Sequence, residues 1–383
     1  MDKNMKILIV IDQYDNLSNG TTISARRFVE GLRKKGHEVK VLSTGKNENE
    51  EEEEGLKAYR FPKIIDKYFK ANEMVFAKPN EEIMRKEFEG QDIIHFYMPF
   101  KLSREGVELA RKMKIPHTTA FHVQPENITY AVGLGTNTLI NDKLYSHFRT
   151  YYNKFRHIHC PSNFIAKQLE EHGYKSKLHV ISNGVEEDFK LNRSEKPKDL
   201  KDKIVISMVG RYSPEKRQDV LIDAISKSKY SDKIQLILGG KGQCYEEYKK
   251  QGEKLKNKPI MKFYPKEELI NMLSYTDIYV HSADAEIEAI SCLEAIALGN
   301  VPIISNSKES ATVQFAMDSE SLFEHGNSLD LAKKIDYFLD NPEYLEKKRK
   351  EYSEFAKNFK IEKSIELIEE MFKEEIRDYE KER

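Results

Sequence analysis

"DIYVHSADAEIEAISCLEAIALGNVPIIS", residues 277–305, carries the pattern that decides the fold. A β-rich run (DIYVHS) leads through a short loop (ADAE) into an apolar helical stretch. That stretch ends at Gly299, and a second β-rich run follows Pro302. Strand, helix and strand in that order form one βαβ unit of a parallel sheet. The same stretch poses a chemical question, because Glu286, Glu288 and Glu294 stand in an otherwise apolar run. A buried carboxylate without a partner is costly, so either the helix turns these groups to solvent or something meets them. If both are helical, Glu286 and Glu294 lie about 12 Å apart along the axis and about 80° apart around it. That spacing suits two parts of one extended ligand, not one reacting atom.

Working outward, the alternation repeats along the chain. In the first half MKILIVI, HEVKVLS, DIIHFYM, HTTAFHV, HIHCPS and LHVIS alternate with helical patterns such as TISARRFVEGLRKKG and NFIAKQLEEHGY. The periodicity lapses between Asn183 and Lys203, where turn formers and charges dominate, and then resumes with IVISMV, QDVLIDAISKS and IQLILGG. The chain of 383 residues is longer than one core usually sustains. The expected architecture is therefore α/β: two tandem Rossmann-like, doubly wound domains facing a cleft. The expected boundaries are 1–183, a linker at 184–203, 204–345, and terminal helices at 346–383 packing back on the first domain.

Composition excludes several classes. A net charge of -1 offers no global field for nucleic acid, although 33% of residues are charged. Cys160, Cys244 and Cys292 are too few and too scattered for a disulfide framework or a CxxC metal site, which fits a reducing, cytoplasmic compartment. No run approaches 18 uninterrupted apolar residues, and the apolar core of the first strand closes at Asp12, too short for a signal segment. The acidic run NENEEEEEG at 47–55 reads as a solvated loop.

Ligands of such sheets bind beyond the carboxyl ends of the strands. After IVISMV comes GRYSPEKRQDV, in which Gly210 frees the turn, Ser213 and Pro214 resemble an N-cap and first helical position, and Arg211 and Lys216 supply cations. Two cations beside a helix N-terminus suit a diphosphate, and an ordinary surface loop is the alternative. Gly239, Gly240 and Gly242 after IQLIL permit close backbone approach, and Gly20, Thr21 and Thr22 open the first helix. Neither GxxxxGK[ST] nor a full GxGxxG entering a helix is present, which disfavours a P-loop ATPase or a nicotinamide enzyme. No DxD triplet stands at a strand end to hold a metal diphosphate.

With those residues in hand, the sequence resembles the retaining glycosyltransferases of family 4, which have the GT-B fold. GRYSPEKRQDVLIDAI is similar to that family's GR-x4-K loop, and EIEAISCLEAIALGNVPII to its E-x7-E motif; GHEVKVLS, CPSNFIAKQL and VISNGV fall in matching order. The resemblance implies that Arg211 and Lys216 neutralise the donor diphosphate, that Glu294 accepts from the ribose, and that Glu286 lies near the transferred sugar. It also implies donor contacts at Gly20, Gly240 and Ile290. His122, in TAFHVQPEN, would face the reacting sugar. Transfer would proceed with retention, without cofactor and without an essential metal, by front-face attack. Two departures stand out: Glu286-Ile287-Glu288-Ala289 replaces E-G-F-G, and Asn19-Gly20 replaces a glycine pair. The variant EIEAISCLEA and its flanks resemble the branch of bacterial diacylglycerol glucosyltransferases.

The implied donor is a nucleotide sugar, UDP-glucose first, and the implied acceptor a lipid such as 1,2-diacylglycerol. A soluble glycan acceptor and a nucleotide-sugar-binding protein without turnover are the alternatives. Two basic, aromatic segments, 59–79 and 143–159, either lie in the headgroup region of an anionic membrane or dock on their own sheet. The expected location is cytoplasmic, peripheral on the membrane.

Overall fold

Strands here form where β-branched and aliphatic residues run together without alternation, as in Ile7, Leu8, Ile9 and Val10, all buried. Such runs are the mark of parallel strands covered on both faces. The computed structural model describes residues 4–16, 19–45, 55–63, 74–131, 133–135 and 137–382. The acidic run at 47–54 and residues 64–73 of the first basic, aromatic segment lie outside them.

The first sheet has the order β2-β1-β3-β4-β5-β6, all parallel: β1 Lys6–Val10, β2 Glu38–Leu42, β3 Ile93–Phe96, β4 His117–Ala120, β5 His157–Cys160 and β6 Lys177–Val180. The helices along this part of the chain are α1 Gly20–Lys34, α2 Glu81–Phe88, α3 Lys101–Met113, α4 Pro125–Ala131, α5 Thr138–Tyr152 and α6 Asn163–Glu171. Helix α1 starts where the Asn19 side chain accepts from the Thr21 N–H at 3.0 Å, satisfying one orphan donor.

The second sheet has the order β14-β12-β10-β7-β8-β9, again parallel. Its strands are β7 Ile204–Val209, β8 Ile234–Gly239, β9 Ile260–Lys262, β10 Ile278–His281, β12 Pro302–Ser305 and β14 Leu322–Phe323. A separate two-stranded pair joins β11 Ala285–Glu286 to β13 Glu309–Ser310. The accompanying helices are α7 Gln218–Lys227, α8 Tyr245–Gly252, α9 Lys266–Ser274, α10 Ile290–Ala297, α11 Ser328–Asp340 and α12 Pro342–Ala356; α13, Ile361–Lys381, closes the chain.

Two compact units result. One comprises residues up to Pro125, Asn137–Asn183 and everything from Ile361; the other comprises 126–136 and Gly184–Lys360. Residues 184–203 are thus not a free linker. The Val185 N–H donates to the Phe359 carbonyl at 2.7 Å, Leu200 enters the core of the second unit, and Arg193 Nη1 donates to the Thr276 carbonyl at 2.6 Å. Isolated apolar residues in a polar string do the anchoring, and composition averages them away. The return to the first unit also comes later than residue 346. Helix α12 stays with the second unit, where Arg349 Nη2 donates to the Asp277 carbonyl at 2.6 Å and the Tyr352 hydroxyl to Ser321 Oγ at 2.7 Å.

Only α13 joins the first unit, burying Ile365, Ile368, Met371 and Phe372 in the core that also holds Phe28 and Leu32. A Cβ on Gly31 of α1 would sit 2.4 Å from Ile365, so the glycine lets the two helices approach. Segment 143–159 resolves toward the interior: Tyr145, Phe148, Tyr151, Tyr152 and Phe155 are buried, and Lys154 pairs with Glu108 at 2.5 Å. The three cysteines are free and buried. Among the described residues no helix is long and apolar enough to cross a membrane.

Candidate functional site

In the second unit, the loops after β7 and β8 lie side by side at the carboxyl edge of the sheet. The Gly210 N–H donates to the Gly239 carbonyl at 2.9 Å, and the Tyr212 N–H to the Lys241 carbonyl at 2.8 Å. A Cβ on Gly240 would fall 2.0 Å from the Gly210 carbonyl oxygen, so packing of the two loops alone demands this glycine. The first loop then makes a 3-10 turn, Pro214–Lys216, in place of a directly capped helix. Arg217 follows in the left-handed region (φ 52°), and α7 begins at Gln218. Ser213 caps no backbone N–H; its hydroxyl donates to Glu215 Oε1 at 2.5 Å. Ser282 clamps the turn from β10, donating toward the carbonyls of Lys216 (3.0 Å) and Arg217 (2.8 Å).

That turn aims Lys216 Nζ at Glu286 Oε1, where the two form an ion pair. His281 Nε2, protonated in the tautomer that fits, donates to the same oxygen at 2.9 Å. Burial opposes charge on Glu286, but Lys216 and His281 outweigh it and hold the carboxyl at about 2. Glu286 is therefore an ionised acceptor at neutral pH. It sits in β11, not in the helix, so the helical spacing expected between Glu286 and Glu294 does not apply. Arg211 remains partly exposed, its Nη2 3.4 Å from Glu215 Oε1 and its carbonyl held by Gln218 Nε2 at 2.8 Å.

All three glutamates of the opening stretch are buried, so the solvent-facing alternative fails. Glu294 lies on α10, and Ile290 is its first residue. Ala289, just before α10, adopts φ 71°, a left-handed conformation that an alanine takes up at a cost. This is the position at which the resembling family carries the last glycine of E-G-F-G. Ser291 Oγ ties the start of α10 to β7, donating to the Val209 carbonyl at 2.9 Å.

Sequence reading missed a second charged cluster behind this one. Buried Asp284 receives Arg217 Nη1 at 3.0 Å and the Tyr130 hydroxyl at 3.0 Å, and His325 Nδ1 lies 2.9 Å away. Arg217 also forks onto both oxygens of Asp219 at 3.1 Å each. Adjacency of Arg217 to Lys216 was the available signal, but Tyr130 and His325 come from remote parts of the chain.

In the first unit, His122 follows β4 and stacks on Tyr97 (5.2 Å between centroids, 13°) with His159 edge-on at 5.6 Å. Burial holds this imidazole neutral, well below its usual range, and its Nε2 has no hydrogen-bond partner among the described residues. Gly20 opens α1 with nothing among the described residues within 4 Å of where a Cβ would stand, so packing among them does not require glycine there. Beside it, a small open recess is lined by Met74, Val75, Phe76, Met98 and Phe100 together with the polar Gln13, Asn19, Thr21 and Thr22. Buried Asp12 also lines it; its Oδ1 accepts from the Ala77 N–H at 2.9 Å, and its Oδ2 has no hydrogen-bond partner among the described residues. Burial pushes this carboxyl up to about 7. An aromatic series runs outward from the recess, Phe100 to Phe76 (4.9 Å), Phe61 (5.5 Å) and Tyr59 (4.9 Å), with exposed Arg60, Lys63 and Lys78 beside it.

Comparison with known proteins agrees with this division. Residues 18–189 match the family described as Glycosyltransferase Family 4, and residues 188–359 match Glycosyl transferases group 1. An alpha-monoglucosyldiacylglycerol synthase of Streptococcus pneumoniae is 26% identical over 79% of this chain and 71% of its own length. A GDP-mannose-dependent alpha-mannosyltransferase of Corynebacterium glutamicum is 25% identical over 78% and 72% respectively. Among solved structures, Anabaena HepE in complex with UDP-glucose superposes with a TM-score of 0.75 at 15% identity, covering 97% of this chain and 100% of that one.

Proposed function

Because the chain belongs to the family 4 glycosyltransferases and has their two-domain GT-B fold, we propose that it moves glucose from UDP-glucose to a lipid acceptor such as 1,2-diacylglycerol. Transfer is with retention and needs no divalent metal. The observation that carries the donor half is the cluster of Lys216, Glu286 and His281, with Arg211 on the same loop. Lys216 has three N–H donors and holds Glu286 while leaving N–H groups for phosphate oxygen. With Arg211 it stabilises the charge that grows on the leaving nucleotide. Glu286, ionised, accepts from hydroxyls of the transferred sugar and is no general acid. Glu294 accepts from the ribose, and the backbones at Gly20, Gly240 and Ile290 approach the donor. The vacant space at Gly20, which folding does not need, supports that assignment. Neutral His122 faces the reacting sugar, and the acceptor hydroxyl is deprotonated by the leaving phosphate.

The acceptor half is supported by that recess, whose aromatic and thioether side chains offer apolar contact to a lipid and whose Asp12 brings a carboxyl group to it. The basic residues beside the aromatic series favour a peripheral position on the cytoplasmic face of an anionic membrane. A second reading keeps the chemistry and takes GDP-mannose, as the mannosyltransferase relative does. Calorimetric titration with each donor separates the two: UDP-glucose is expected to bind the intact chain and to lose at least tenfold in affinity in Lys216→Ala. Tighter binding of GDP-mannose would establish the second reading, and equal binding to Lys216→Ala would remove the assigned diphosphate site.

A further inference from the structure

Two histidines and a glutamate meet at the edge of the first sheet, apart from every residue assigned above. His157 on β5 and His179 on edge strand β6 share the face that α13 covers, and Glu374 on α13 reaches down to them. His157 Nδ1 lies 2.8 Å from His179 Nε2, and His179 Nε2 lies 4.0 Å from Glu374 Oε2. The three ligand atoms fall within 4.8 Å of one another. We propose that His157 Nδ1, His179 Nε2 and Glu374 Oε2 bind one divalent transition-metal ion of the zinc class, which fastens α13 to the edge of the first sheet.

The chemistry of the donor set fits. Two imidazoles and one carboxylate are borderline ligands suited to Zn²⁺, and tetrahedral bonds of about 2.1 Å place ligand atoms about 3.4 Å apart. The histidine pair must open by roughly half an ångström and the carboxylate close by somewhat more, well within side-chain motion. The surroundings supply what a metal-bound histidine needs on its far side. His157 is buried, and its Nε2 faces Asp378 Oδ2 at 3.4 Å and Glu375 Oε2 at 3.6 Å. A proton held there by carboxylates leaves Nδ1 as the free lone pair. Lys177 takes only the other oxygen of Glu374, Oε1, at 2.5 Å. His179 and Glu374 are partly exposed, which provides an entry path.

Untagged full-length protein, stripped with EDTA and dialysed, is titrated with CoCl2 and ZnCl2. One equivalent of Co²⁺ is expected to bind with the visible absorption of a tetrahedral site, to be displaced by Zn²⁺, and to raise the melting temperature by several degrees. His179→Ala and Glu374→Gln should each weaken binding at least tenfold. Should His179→Ala fail to fold, the part-exposed Glu374→Gln decides. Lys177→Met, which removes a competing cation, should tighten binding several-fold. No stoichiometric binding, or binding unchanged in Glu374→Gln and Lys177→Met, would overturn the site.

Discussion

At the carboxyl edges of their sheets the two units take opposite solutions to the problem of polar groups in a dry place. In the second unit the buried carboxylates Glu286 and Asp284 are each matched by cations, and Glu286 stays ionised. In the first unit the corresponding edge holds a neutral imidazole, His122, and a carboxyl, Asp12, with one oxygen unpartnered among the described residues. A paired edge suits a charged ligand such as a nucleotide diphosphate, and an edge without cations at its carboxyl suits a neutral ligand that presents a hydroxyl. The glycines repeat the contrast: Gly240 is required by packing, whereas Gly20 is not.

The largest break in this contrast should come from Lys216→Ala. Removing one charge-stabilising donor typically costs a factor of about 10² to 10³ in turnover. Leaving Glu286 with only His281 should also lower stability, read by thermal melting; unchanged turnover would show that the pairing is structural only. Asp12→Asn tests the other edge. The folded-state carboxyl titrates near 7 against an ordinary 3.8, so the folded chain binds the extra proton between those values and stability falls as pH rises through that window. Asp12→Asn should therefore stabilise the fold at pH 8, by about 4 kcal/mol at most, read as a higher melting temperature, and have little effect below pH 4. It should also raise the KM for the acceptor without altering that for the donor.

The glycine pair gives a smaller effect that sharpens the contrast. Gly240→Ala should destabilise by about 1 to 3 kcal/mol, since a backbone carbonyl must move. Gly20→Ala should leave melting unchanged yet raise the donor KM. Smallest is Ala289→Gly, which relieves a left-handed alanine and should add about 1 kcal/mol of stability, measured by denaturant unfolding. A loss of stability there would mean that the loop does not need the conformation it adopts.

Much of this was legible in the sequence because parallel strands are written as unbroken aliphatic runs. The βαβ alternation predicts both sheets, and GRYSPEK and EIEAISCLEA single out Lys216 and Glu286, which the fold then sets side by side. What stayed hidden depended on single residues or remote partners. Val185 and Leu200 anchor a stretch that reads as linker, and Glu286 lies in a two-residue strand that no periodicity signals. His281 supports Glu286 from the end of β10, and Tyr130 reaches Asp284 from far along the chain. The recess combines loops after β1 and β3 with Met74–Phe76, a grouping that only the fold supplies.

The most direct test is transfer itself. Purified protein, UDP-glucose and anionic liposomes containing 1,2-diacylglycerol should yield a monoglucosyl lipid in the extract, detected by mass spectrometry, with the α-anomeric signal by NMR. Absence of glycolipid together with glucosylation of a soluble glycan, or donor binding with no turnover on any acceptor, would contradict the account.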